Sequence, residues 1–108
     1  MAQPKIPFEV VEAVRKLGEN VRTARIRRSM TQDDLAKACK ITRKTLYGIE
    51  KGSTAVSVGT LFSVLWALGL LKSATHLADP EADEHGKVLE AARRPLRIRI
   101  PAETDTDF

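Results

Sequence analysis

Arg43, Lys44 and Thr45 stand in a row, with Tyr47 two residues further on. All four carry hydrogen-bonding side chains. Arginine and lysine can address the guanine edge in a DNA major groove, and threonine can bond several bases or touch a thymine methyl. Gly48 beside them has no side chain, so a helix carrying this set could lie close to a duplex there. Other chemistries find fewer residues. No Ser-His-Asp or Cys-His set stands out, and the one cysteine, Cys39, leaves no disulfide framework and no Cys-cluster metal site. Cys39 reads as a small buried apolar residue rather than a redox sensor. His76 and His85 lie nine residues apart with no further Cys or His nearby, and Asp79, Glu81, Asp83 and Glu84 read as a solvated, helix-starting charge run. No catalytic residues, metal or cofactor are expected, and an enzyme is the least supported class.

The elements that must position this set follow from caps and periodicity. Residues 1–7 carry two prolines and read as an arm. From Phe8 the apolar residues Val10, Val14, Leu17, Val21 and Ala24 recur at spacings of four and three, one stripe on a long helix to about Arg28. Gly18 lies within it and weakens it by about 1 kcal/mol relative to alanine. Thr31 caps a second helix of about two turns, with Asp33 and Asp34 in its first turn and Leu35, Ala36 and Cys39 inward. Thr42 caps a third, with Leu46 and Ile49 inward and Gly52 past its end. Two short threonine-capped helices joined by a turn at Lys40-Ile41 have the spacing of a helix-turn-helix, with small Ala36 allowing a steep, close crossing.

Ser57 caps a fourth helix to about Leu68, broken by Gly69. Val58, Leu61, Val64, Leu65 and Leu68 cover one side, and Phe62, Trp66 and Leu70 carry the apolar surface round to about 240° of the circumference. Such a helix is buried on two sides, either by a second copy of the chain through Phe62, Trp66 and Leu70 or by the chain's own later segments. A fifth short helix is expected over Leu71 to Ala78, ended by Asp79-Pro80. A more polar one follows over Glu81 to Arg94, with Val88, Leu89 and Ala92 inward. Leu96-Arg97-Ile98-Arg99-Ile100 alternates strictly between Pro95 and Pro101, a strand signal with no second strand in the sequence. Leu96, Ile98 and Ile100 are candidates for pairing across a dimer. Arg93, Arg94, Arg97 and Arg99 suit DNA phosphates, an acidic partner, or a solvated edge.

Charge is unevenly distributed along the 108 residues. The net +4 divides into +6 over residues 1–52, −3 over 53–92 and +1 over 93–108, so the basic excess sits with the helix-turn-helix. The longest mostly apolar run, Leu61 to Leu71, is too short to span a bilayer. The first residues lack an apolar signal region. A cytoplasmic protein is expected, organised as an arm and helix start (1–16), a helix-turn-helix domain (17–78), a C-terminal helix and basic strand (79–101) and a flexible acidic tail (102–108).

Leu17-Gly18-Glu19-Asn20-Val21, Thr31-Gln32-Asp33-Asp34-Leu35-Ala36 and Thr45-Leu46-Tyr47-Gly48-Ile49-Glu50-Lys51-Gly52 together resemble the phage-repressor and Cro-like (XRE) helix-turn-helix family over about residues 17–70. Val56-Ser57-Val58-Gly59-Thr60-Leu61 and Leu65-Trp66-Ala67-Leu68-Gly69-Leu70 are similar to its HipB-type antitoxin branch, as is the stretch Pro95 to Ile100. The resemblance implies an all-α, lambda-repressor-like domain of five to six helices, with a possible C-terminal strand pairing across a homodimer. It implies that Gln32 contacts a phosphate and buttresses the neighbouring base reader, and that Arg43, Lys44 and Thr45 face bases. Thr42 and Lys51 would hold phosphates. Arg25 and Glu50 match a structural pair that pins the recognition helix. The family often has glycine where this chain has Lys40, which must then take a left-handed backbone at about 1 kcal/mol. The implied partners are double-stranded operator DNA, a second copy and a HipA-like toxin kinase. A stand-alone phage-type repressor and a kinase-binding module without operator binding are the alternatives.

Overall fold

The structure, a computed structural model, describes residues 5–93. Six α-helices follow one another: α1 (Phe8–Arg27), α2 (Gln32–Ala38), α3 (Arg43–Glu50), α4 (Val58–Ala67), α5 (Leu71–Ala74) and α6 (Glu84–Arg93), with a 3-10 turn at Pro80–Ala82. Among the described residues there is no strand. The fold is all-α and of the lambda-repressor-like helix-turn-helix type. The strand expected around Leu96, Ile98 and Ile100, and the acidic tail, lie outside the described residues. The chain divides into two units, Met1–Thr75 and His76–Phe108.

The first unit packs around Val21, Leu35, Leu46 and Val64, which are essentially inaccessible, with Ala24, Ala36, Cys39, Ile49, Leu65, Leu68 and Ala74 completing the core. α2 and α3 have only 7 and 8 residues, too few to hold a helix in water without capping and packing. Both receive them. Thr31 accepts the Asp34 N–H at 3.0 Å while Asp34 accepts the Thr31 N–H at 2.9 Å, a reciprocal capping box. Thr42 accepts the Thr45 N–H at 3.0 Å. Ser57 does the same for α4 from Thr60.

The first four helices end in the same way. After each C-cap residue, the next has positive φ: Ser29 (54°), Lys40 (58°), Gly52 (89°) and Gly69 (77°). The following N–H then returns to a carbonyl five residues back, from Met30 to Arg25, Ile41 to Ala36, Ser53 to Gly48 and Leu70 to Leu65. This is the Schellman arrangement, and it closes orphan carbonyls at a turn. Met30, Ile41 and Leu70 pack against the core just past it. Lys40 thus does adopt the left-handed conformation.

Three expectations change. The fifth helix stops at Ala74 rather than Ala78; the hydroxyls of Ser73 and Thr75 donate back to the carbonyls of Leu70 and Lys72 at 2.7 Å, a competing local bond that suits a short turn. The helix expected over 81–94 is divided. Asp79 caps the 3-10 turn through the Glu81 N–H, and Asp83 accepts the Gly86 N–H at 2.9 Å, so α6 starts at Glu84. Val88, Leu89 and Ala92 are not inward: Val88 and Leu89 are exposed along with Ala92, because no described residue of this unit is buried.

Gly18 has a role that helix propensity does not show. It is buried against the last turn of α3. A Cβ there would fall on the Ile49 carbonyl oxygen and lie 2.9 Å from that of Glu50. The missing side chain allows α1 and α3 to meet backbone to side. Gly18→Ala is therefore expected to lower stability by about 1–3 kcal/mol, the cost of overpacking, despite alanine's better helix propensity. Urea unfolding of the two chains checks this, and a more stable alanine variant would contradict the close approach.

Candidate nucleic-acid interface

The inner side of α3 is held by a buried ion pair. Arg25, on α1, directs its guanidinium at the Glu50 carboxylate with Nε donating to Oε2 at 2.7 Å and Nη2 donating to Oε1 at 3.0 Å. A third guanidinium nitrogen, Nη1, donates to the Met30 carbonyl at 2.9 Å, tying in the turn before α2. Both partners are buried, at 8% and 7% exposure. A forked donor matched to a carboxylate fixes angle as well as distance. The expected Arg25–Glu50 pairing is therefore present in the fold.

Gln32 joins this pair, which its sequence position did not announce. Its Nε2 donates to Glu50 Oε1 at 3.0 Å. An ionised carboxylate only accepts, so the amide must turn its NH2 group inward. One carboxylate at the end of α3 thus gathers α1 through Arg25 and the start of α2 through Gln32. Arg22 is a further residue that sequence reading missed. It lies near enough for its charge to act on Glu50; its position three residues before Arg25, on the same helix face, was the available signal.

These neighbours set the ionisation of Glu50. Burial pushes its carboxyl up, but the hydrogen bonds from Arg25 and Gln32, with the charges of Arg25 and Arg22, outweigh that and hold it below the usual carboxylate value. The hydrogen bonds that Arg25 donates to Glu50 in turn hold its guanidinium above its ordinary range.

The outer side of α3 is open. Arg43, Lys44 and Tyr47 are exposed, as is Lys51 just past its end. At 100° per residue they lie within about a 100° arc facing away from Leu46 and Ile49. Lys51 Nζ sits 5.6 Å from the Tyr47 ring centre, a cation–π contact that orders both. Thr45 is set apart from these. It is half-buried on the α4 side, lining an open cleft with Lys44, Gly48, Ser53, Ser57 and Thr60. Thr42 uses its hydroxyl for the fold, accepting the Thr45 N–H and donating to Thr45 Oγ1 at 2.9 Å. Gln32, Arg43 and Arg25 line a second open cleft with Thr31 and Asp33. The structure therefore brings Gln32 next to Arg43 and groups Arg43, Lys44, Tyr47 and Lys51, while Thr42 and Thr45 form a capping pair.

Away from this face, Cys39 is buried. Its Sγ lies 3.0 Å from the Leu35 carbonyl, and burial pushes the thiol up. Among the described residues no three His, Cys, Asp or Glu side chains gather as metal ligands, and no helix is long and apolar enough to cross a membrane.

The depressed Glu50 pKa carries a pH dependence. Its contribution to stability is full above the unfolded carboxylate value near about 4.3 and is lost as pH falls through the lower folded value. Glu50→Gln leaves Arg25 buried without a counter-charge, so about 3–5 kcal/mol is lost at neutral pH. The variant's stability should also fall less steeply than the parent's from pH 5 to 3. Thermal melts across that range test both statements; parallel curves would remove Glu50 as the titrating group.

Comparison with known proteins gives one finding. None of the curated proteins compared with it matches the chain. Residues 21–71, from the second half of α1 to the start of α5, match the helix-turn-helix family model. The match contains the Arg25–Glu50 pair, both threonine-capped helices and the exposed side of α3. Over these residues the chain is similar to helix-turn-helix domains.

Proposed function

We propose that this chain is a sequence-specific transcriptional repressor that binds operator DNA as a homodimer, with α3 in the major groove. The observation that carries this is the division of α3. Its inner side is locked to α1 and α2 through Glu50, while Arg43, Lys44 and Tyr47 are exposed on the outer side. Arg43 and Lys44 address base edges, and Tyr47 and Thr45 border them. Lys51 neutralises a phosphate at one end of the helix. Gln32, with one N–H committed to Glu50, keeps its second for a phosphate at the other, and Thr42 supports that end through the capped backbone. Phe62, Trp66 and Leu70 are assigned to the dimer interface, with Trp66 as its exposed centre and Phe62 and Leu70 as half-buried residues that also pack against the core. Two copies would place their α3 helices in successive major grooves about 34 Å apart.

Within that class we assign the chain to a HipA-type toxin–antitoxin operon, as the antitoxin that represses its own promoter and neutralises a HipA-like kinase. The support is the resemblance of Val56 to Leu61 and Leu65 to Leu70 to the HipB-type branch. A soluble, cytoplasmic protein follows from this reading.

Selection from a random duplex pool gives the operator, and titrations at fixed salt then test the face. Arg43→Ala and Lys44→Ala should each cost about 1–3 kcal/mol on the selected site and relax base preference there. Lys51→Ala should weaken all duplexes alike and lower the salt dependence. Unchanged titrations for both α3 variants would refute the recognition-helix assignment. Affinity capture from the native host should recover a HipA-like kinase; operator binding without one identifies a stand-alone regulator.

A further inference from the structure

The outer side of α4 is only partly covered by the described residues: Gly59 and Trp66 are exposed, while Ser63 is half-buried and Phe62 is half-buried against the core. Val64, Leu65 and Leu68 face the core and are buried. At about 100° per residue, Gly59, Phe62, Ser63 and Trp66 form a stripe centred on the opposite side. Trp66 is 61% exposed. Three properties of this stripe say what covers it.

The first is Gly59. A Cβ there would meet nothing within 4 Å, and the backbone is not left-handed. Gly18 is a useful contrast, since its missing side chain is filled by the backbone of α3. Gly59 offers the same flat spot, and none of the described residues takes it. Glycine inside a helix is unfavourable unless something must come close. The second is Ser63. Its Oγ donates to the Gly59 carbonyl at 2.9 Å, so the one hydroxyl on the stripe is satisfied inside the helix and needs no water. The third is charge. From Gly52 to Leu71 there is no charged side chain, in a chain that is 30% charged. A face that meets its own copy across a two-fold axis meets its own charges, and like charges there are costly. An uncharged face avoids that cost.

We propose that α4 packs antiparallel against α4 of a second copy, with Trp66 of each lying over Gly59 of the other. Knob and hole sit seven residues apart, two helical turns, on one stripe. A two-fold axis passing between Phe62 and Ser63 therefore satisfies both contacts at once, as an isologous interface requires. The seam rests on the homodimer reading above and goes beyond it. It names the element that pairs, its direction and the residue whose absence of a side chain permits it.

Sedimentation equilibrium on the full chain without DNA tests the seam. Gly59→Leu has room in the single chain, so its circular dichroism should match the parent, while the dimer dissociation constant rises at least tenfold. Ser63→Cys, next to the axis, should oxidise to a covalent dimer, whereas the parent, with Cys39 buried, should not. If Gly59→Leu dimerises as tightly as the parent, or Ser63→Cys stays uncrosslinked under oxidant, the seam is wrong and the homodimer reading stands. Loss of duplex binding by Gly59→Leu with dimerisation unchanged also overturns it, assigning the open space to DNA. A parent chain that is monomeric at every concentration overturns seam and homodimer together.

Discussion

Three helices converge on the Glu50 carboxylate. Arg25 reaches it from the last turn of α1, Gln32 from the first residue of α2, and Glu50 itself closes α3. Such a buried pair adds little stability over a well-packed apolar substitute, because taking both charges out of water costs nearly what their attraction returns. Its contribution is direction. Apolar contacts among Leu35, Leu46 and Ile49 tolerate small rotations of one helix over another. A forked guanidinium and an amide on one carboxylate do not. An eight-residue helix has no means of fixing its own orientation, so the outward aim of Arg43 and Lys44 depends on this cluster.

The cluster depends in turn on how closely α1 and α3 approach. Gly18 admits the carbonyls of Ile49 and Glu50, which brings the Glu50 backbone to the surface of α1 and sets its side chain opposite Arg25. The turns on either side of α2 complete the geometry, and both contain a residue other than glycine with positive φ, Ser29 and Lys40. Each costs about 1 kcal/mol. Burial of Met30 and Ile41 immediately after them offsets that cost. The backbone strain of the domain is thus placed at the two turns that decide how α2 and α3 cross.

Much of this was legible in the residues. Thr31, Thr42 and Ser57 announce three helix starts because their hydroxyls satisfy N–H groups two or three residues on, a rule that needs no tertiary information. Gly52 and Gly69 mark two ends because glycine takes the positive φ of the closing turn without strain. Arg25 and Glu50 were paired only through family resemblance, since 25 residues of sequence separate them and no local rule joins them. Gly18 was misjudged because propensity describes a helix in isolation, and the reason for this glycine lies on another helix. Gln32 looked like a phosphate contact, but the side chain also answers to a buried carboxylate. The inward placement of Val88 and Leu89 failed because a helical stripe says which residues share a face, not whether anything covers it.

The domain's two open faces differ in kind. The outer side of α3 is cationic and polar, and water solvates it well until a polyanion replaces that water. The outer side of α4 is uncharged and aromatic, and exposure there is unfavourable at all times. A single recognition helix touches only a few base pairs, and one DNA-binding module buries about 600–1,000 Å², so pairing two modules is the direct route to a longer site. On the proposed reading the two faces answer one requirement. The apolar face sets the spacing of two copies, and the Glu50 cluster sets the angle of each α3, so neither alone places both helices in successive grooves.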